Sequence, residues 1–80
     1  MTVGEAVAKR IDNYLYERDM TLYGLAKSAC LPIATLQNLY RGHTKSPTLT
    51  VVLKLVDALG VTVEQFLDSP LFSRDNLELD

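Results

Sequence analysis

Apolar residues recur along the chain at the period of an α-helix, and no stretch alternates in the way a strand would. Val7, Ile11, Tyr14 and Leu15 share one face of a first segment, opposite Lys9, Arg10, Asp12 and Glu17. Thr2 and Glu5 have the spacing of a capping box, which predicts a helix from Val3 to Arg18. Thr21 opens a second helix in which Leu22, Leu25, Ala26 and Ala29 fall on one side. Pro32 suits only a first turn, so it ends that element and begins a third, with Leu36, Leu39 and Tyr40 facing inward and Gly42 as a left-handed stop. A fourth helix is capped by Thr48, carries Leu49, Val52, Leu53, Val56 and Leu59, and closes at Gly60. Thr62 and Gln65 form a second capping box for a short fifth helix bearing Val63, Phe66 and Leu67, ended by Pro70. From Leu71 to Asp80 apolar and charged residues mix without a predicted element.

Eighty residues allow one core and one domain, and a core of that size is marginal unless the chain oligomerises. No run is long and apolar enough for a bilayer: Ser28–Tyr40, the longest uncharged stretch, is broken by Pro32 and contains Thr, Gln and Asn. Met1 to Asp12 is charged and lacks the apolar centre of a secretory leader, so a cytoplasmic protein is expected. Cys30 is the only cysteine, which leaves no internal disulfide and no multi-cysteine metal site.

The net charge of −2 conceals a segregation. Between Asp19 and Asp57 there is no acid, while Lys27, Arg41, Lys45 and Lys54 stand there, for +4; the remainder holds four cations against ten acids, for −6. Because salt screens charge over roughly 8 Å, such a segment acts locally and is a candidate footprint for a polyanion.

Two short helices meeting at Cys30-Leu31-Pro32 have the form of a helix-turn-helix, whose second helix enters the major groove of DNA. Ala26 is small where the helices cross, Leu31 plugs the turn, and Leu36 and Leu39 anchor the second helix to the first. With Met20-Thr-Leu-Tyr-Gly-Leu-Ala-Lys27, Thr35-Leu-Gln-Asn-Leu-Tyr-Arg-Gly42, Ser46-Pro-Thr-Leu49 and Asp57-Ala-Leu-Gly-Val61 in this order, the chain resembles the Xre/Cro family of phage-repressor-like domains from about Ala6 to Leu67. The resemblance implies an all-α, compact five-helix bundle with a central helix-turn-helix, the lambda-repressor-like DNA-binding fold, that binds operator DNA as a symmetric dimer. Cys30 stands where that family usually has a left-handed glycine, and Pro32 where it usually has a polar cap.

On this reading, residues 33–41 are the recognition helix. Gln37 and Asn38 suit bidentate contacts to adenine, and Ile33 and Ala34 offer only methyl contacts to thymine. Arg41, Thr44, Lys45 and Ser46, with the Tyr23 hydroxyl at the start of the second helix, are expected at phosphates, where they set register without reading sequence. His43 has no second residue at metal-ligand spacing, and no catalytic constellation is present, so neither metal, cofactor nor enzymatic activity is expected. The expected partner is double-stranded DNA, bound by a homodimer acting as a transcription regulator, most simply a repressor.

Residues 1–69 are assigned to the DNA-binding domain and 70–80 to a C-terminal tail. Leu71, Phe72, Leu77 and Leu79 need cover, either from the domain's own first and fifth helices or from a second copy; a dimer contact by the fifth helix and Leu71–Phe72 is the expectation. Arg74, Asp75, Glu78 and Asp80 would then rim that contact away from DNA. The competing function is a protein-interaction module of the antitoxin-like kind, docking a partner on Ile33, Ala34 and Tyr40 with little or no DNA binding.

Overall fold

Four threonines set the starts of four helices. In the computed structural model, which describes residues 1–79, α1 (Val3–Arg18), α2 (Leu22–Ser28), α4 (Leu49–Leu59) and α5 (Val63–Leu67) are preceded by Thr2, Thr21, Thr48 and Thr62. Each hydroxyl accepts the backbone N–H three residues on, at 3.0–3.2 Å. A cap of this kind stabilises a helix by about 1 kcal/mol. Glu5 and Gln65 complete both expected capping boxes by accepting the N–H of Thr2 and Thr62, each at 2.9 Å. Only α3 (Ile33–Tyr40) starts without a side-chain cap, on Pro32. Gly60 ends α4 in the left-handed region at φ 69°.

The core draws on all five helices. Val7 and Ile11 of α1, Leu25 of α2, Leu36 and Leu39 of α3, Leu55 of α4 and Phe66 of α5 are its most deeply buried large side chains. α1 packs on α3, α2 on both α3 and α4, and α4 on α5. No strand occurs among the described residues; there is one isolated bridge, between Thr2 and Glu78.

α1 also holds the last turns of α4 and α5. Arg10 donates to the carbonyls of Phe66 (2.7 Å) and Gln65 (2.7 Å), and Arg18 donates to that of Leu59. These are carbonyls that a helix end leaves without intrahelical partners, and a cation there also suits the helix dipole. Between the two guanidinium groups lies the Tyr14 ring, 4.8 Å from Arg10 and 5.1 Å from Arg18, stacked on Phe66 at 6.1 Å. Two cations outside the acid-free window are therefore structural.

α4 differs from the sequence pattern. Leu55, absent from the expected face, is fully buried with Val56 and Leu59, while Leu49 is 68% and Leu53 44% exposed. The segment LTVVLKLVDAL is apolar nearly all round, so its periodicity does not single out one face. The tail differs too. Pro70 does not merely stop α5: it opens a 3₁₀ turn, Pro70–Phe72, followed by a second, Arg74–Asn76. The first packs on α1, and Phe72 lies 5.9 Å from Phe66, so Leu71 and Phe72 are half-buried by their own domain. Residues 77–79 run back beside the amino terminus, where Glu78 donates its N–H to the Met1 carbonyl at 2.8 Å. Asp80, assigned with Glu78 to the rim of a contact, lies outside the described residues.

The two leucine environments of α4 separate in a stability measurement. Leu55→Ala is expected to cost about 2–5 kcal/mol in urea unfolding, whereas Leu49→Ala stays within about 0.5 kcal/mol. Equal losses would contradict the assigned face.

Candidate nucleic-acid interface

α3 buries Leu36 and Leu39 and so turns Ala34, Gln37, Asn38 and Arg41 outward. These four follow i, i+3, i+4, i+7 spacing and make one exposed stripe with two amides at its centre and a cation at its end. Ile33 and Tyr40 flank the stripe half-buried against the core. Tyr40 also donates its hydroxyl to Asp12 at 2.6 Å. Burial, and then the hydrogen bond to Asp12 and that group's charge, push its phenol well above the usual tyrosine range. Of the three residues proposed to dock a protein partner, Ala34 is exposed and Ile33 and Tyr40 are half-buried.

The turn before α3 is tight. Cys30 adopts the left-handed conformation at φ 56°, as its position in the motif implies, and its thiol is exposed. Leu31 donates its N–H to the Ala26 carbonyl at 2.9 Å and fills the turn half-buried. Tyr23, 68% exposed, shares a shallow cleft with Lys27, Ala26, Leu31 and Ile33. The carrier of the proposed phosphate hydroxyl thus lies on the α2 side of the same turn.

After α3, Gly42 turns the chain at φ 77°, and the N–H groups of His43 and Thr44 both donate to the Asn38 carbonyl, at 2.9 and 3.3 Å. Arg41, His43, Lys45 and Ser46 are exposed, and Thr44 is half-buried. This loop is pinned from below by a residue that the sequence reading passed over. Gly4, in the first turn of α1, donates its N–H to the Lys45 carbonyl at 2.8 Å. A methyl group on Gly4 would lie 1.8 Å from the Thr44 carbonyl oxygen, so only glycine admits the approach. A glycine within the first turn of a well-capped helix was the available signal, because such a residue weakens a helix unless something packs on it.

Folding also brings acids toward the acid-free window. Glu5, Lys9 and Asp12 line a cleft with Tyr40, Arg41 and Gly42, and Glu78 shares another with Lys45, Ser46, Thr2 and Val3. Glu78, expected at the rim of a dimer contact, thus lies on the side of the molecule that carries this loop. All four cations of the acid-free window are exposed: Arg41 and Lys45 at the loop, Lys27 on α2 and Lys54 on α4.

Residues 10–70, most of the chain and all of the helix-turn-helix, match the model of the Cro/C1-type helix-turn-helix DNA-binding domain. The chain belongs to this family. It is also similar to the crystal structure of prophage Lp1 protein 11, with a TM-score of 0.82 and 29% identity over 91% of this chain and 96% of the other. No curated protein sequence matches it. A Cro/C1-type domain accounts for the all-helical fold and the outward α3, and it is a DNA-binding domain. Among the described residues no helix is long and apolar enough to cross a membrane, and no three His, Cys, Asp or Glu groups are placed to hold a metal ion.

Gly4→Ala tests the pinned loop. In an open helix the change would stabilise by roughly 0.5–1 kcal/mol; here the clash reverses the sign, with an expected loss of about 1–3 kcal/mol. Thermal unfolding checks this, and a rise in stability would mean that the loop does not depend on Gly4.

Proposed function

We propose that the chain is a sequence-specific transcription regulator, acting as a repressor in the cytoplasm by occupying operator DNA as a homodimer. The observation that carries this reading is the exposed Ala34–Gln37–Asn38–Arg41 stripe, continuous with a loop whose backbone is fixed by α1. Residues 33–41 enter the major groove. Gln37 and Asn38 hydrogen-bond to base edges, and Ala34, with the exposed edge of Ile33, meets thymine methyl groups. Arg41, Thr44, Lys45, Ser46 and Tyr23 contact phosphates on either side and fix register.

The acids near this surface shape the mode of binding. Asp12 is engaged by Tyr40, and the Glu78 carboxylate faces the Met1 ammonium at 3.7 Å, so phosphate attraction to Arg41 and Lys45 supplies most of the binding, with Gln37 and Asn38 supplying part of the sequence preference. A protein-interaction module docking on Ile33, Ala34 and Tyr40 is less well supported, since Ile33 and Tyr40 are half-buried and the Tyr40 hydroxyl is engaged by Asp12.

Salt titration of binding to random-sequence duplex separates the two. The regulator gives a log–log slope of several counterions, and Arg41→Ala or Lys45→Ala each flattens it by roughly 0.9. A flat dependence in the parent chain would favour the interaction module, and unchanged slopes in both variants would remove these residues from the interface.

Gln37→Ala is expected to cost on the order of 1–3 kcal/mol on a duplex selected for tight binding and almost nothing on random sequence. Equal losses on both would assign Gln37 to positioning.

A further inference from the structure

α3 is a short helix that begins without a side-chain cap. Leu36 and Leu39 bury it against the core, but apolar attraction is non-directional and does not by itself fix the rotation of so short a helix about its axis. Among the described residues the side chains of α3 make one hydrogen bond, from the Tyr40 hydroxyl to an Asp12 carboxylate oxygen on α1 at 2.6 Å. That bond is short and charge-assisted, and therefore directional. We propose that Tyr40 is a positioning residue for base readout: its bond to Asp12 sets the rotation of α3, and with it the direction in which Gln37 and Asn38 point. The proposal deepens the operator-binding reading and rests on it for the role of DNA, but the setting of α3 is measurable without DNA.

The surroundings of the pair support this role. Tyr40 is the last residue of α3 and immediately precedes Arg41, so its ring holds the end of the exposed stripe. Half-buried beside that stripe, it acts through Gln37 and Asn38 and does not itself touch DNA. Burial, and then the hydrogen bond to Asp12 and that group's charge, keep the phenol protonated, so the donor persists well above neutral pH. Arg41 lines the same cleft as Asp12, yet no ion pair joins them among the described residues. With Asp12 held by the phenol, the guanidinium stays available to phosphate. About two turns earlier on α1, Gly4 donates its N–H to the Lys45 carbonyl, so one helix holds the chain on both sides of Arg41. Base contacts require placement to within roughly 0.5 Å, which a directional bond secures and packing alone does not.

The test compares Tyr40→Phe, Asp12→Ala, Asp12→Asn and the double variant Tyr40→Phe/Asp12→Ala in the full chain. The preference for a duplex selected for tight binding over random sequence is expected to fall by about tenfold in Tyr40→Phe and in Asp12→Ala, within the range that one bidentate base contact supplies. The double variant is expected to lose no more than either single one, and Asp12→Asn, which keeps an oxygen to accept the hydroxyl, is expected to retain most of the preference. Affinity for random duplex and its salt slope stay unchanged in Tyr40→Phe, which separates positioning from a loss of fold. An unchanged preference in Tyr40→Phe, additive losses in the double variant, or an equal loss on random duplex would overturn the proposal. In the free chain, Asp12→Ala and Tyr40→Phe are both expected to shift the amides of Ala34, Gln37 and Asn38 in NMR spectra. A flat salt slope in the parent chain would instead defeat the DNA reading, and unmoved α3 amides would then also overturn the setting of α3 by this pair.

Discussion

Helix ends are costly to bury, because each leaves carbonyls without partners, and an unsatisfied buried polar group costs about 1–3 kcal/mol. In this domain α1 resolves that cost for two helices at once. Arg10 and Arg18, two turns apart, reach the last carbonyls of α5 and α4. Tyr14 fills the space between their guanidinium groups and stacks on Phe66, which closes the core from below. No buried side-chain polar atom among the described residues is left without a partner.

The same helix governs the candidate site through its opposite end. Where the Arg10 and Arg18 side chains reach across to α5 and α4, Gly4 in the first turn has none, and the backbone of Thr44 and Lys45 lies directly on α1 there. The loop that carries Arg41, Lys45 and Ser46 is thereby set relative to α3, which α1 also packs against. The proposed readout of bases by α3 and contact with phosphates by the loop would demand a fixed spacing between the two, and α1 supplies one. The tail joins the same corner through the Thr2–Glu78 bridge, and the Glu78 carboxylate there faces the Met1 ammonium at 3.7 Å.

Much of this was legible in the sequence, for local reasons. The Thr2–Glu5 and Thr62–Gln65 boxes, the Thr21 and Thr48 caps and the stop at Gly60 are short-range chemistry, and all occur as read. The exposure of Gln37 and Asn38 followed from burying Leu36 and Leu39. What escaped was long-range. Leu55 could not be told from Leu53 in a helix apolar nearly all round, and the burial of Phe72 depends on a 3₁₀ turn that Pro70 opens when it was expected only to end α5. The acid-free window was real in sequence but not in space, since Asp12 and Glu78 are brought to it by α1 and the tail. Gly4 signalled itself only as a glycine in a capped first turn, and the loop lying on it reveals its purpose.

The central claim is that duplex DNA is met by α3 and the loop after it. The most direct measurement is an NMR titration of the labelled full chain with a random-sequence duplex at low salt, followed residue by residue. The account predicts that the amides of Ala34, Gln37, Asn38, Arg41, Thr44, Lys45 and Ser46 shift, together with Tyr23, while those of α5 and the 3₁₀ turns stay in place. Shifts centred on α5 or the tail, or no shifts at all, would contradict it.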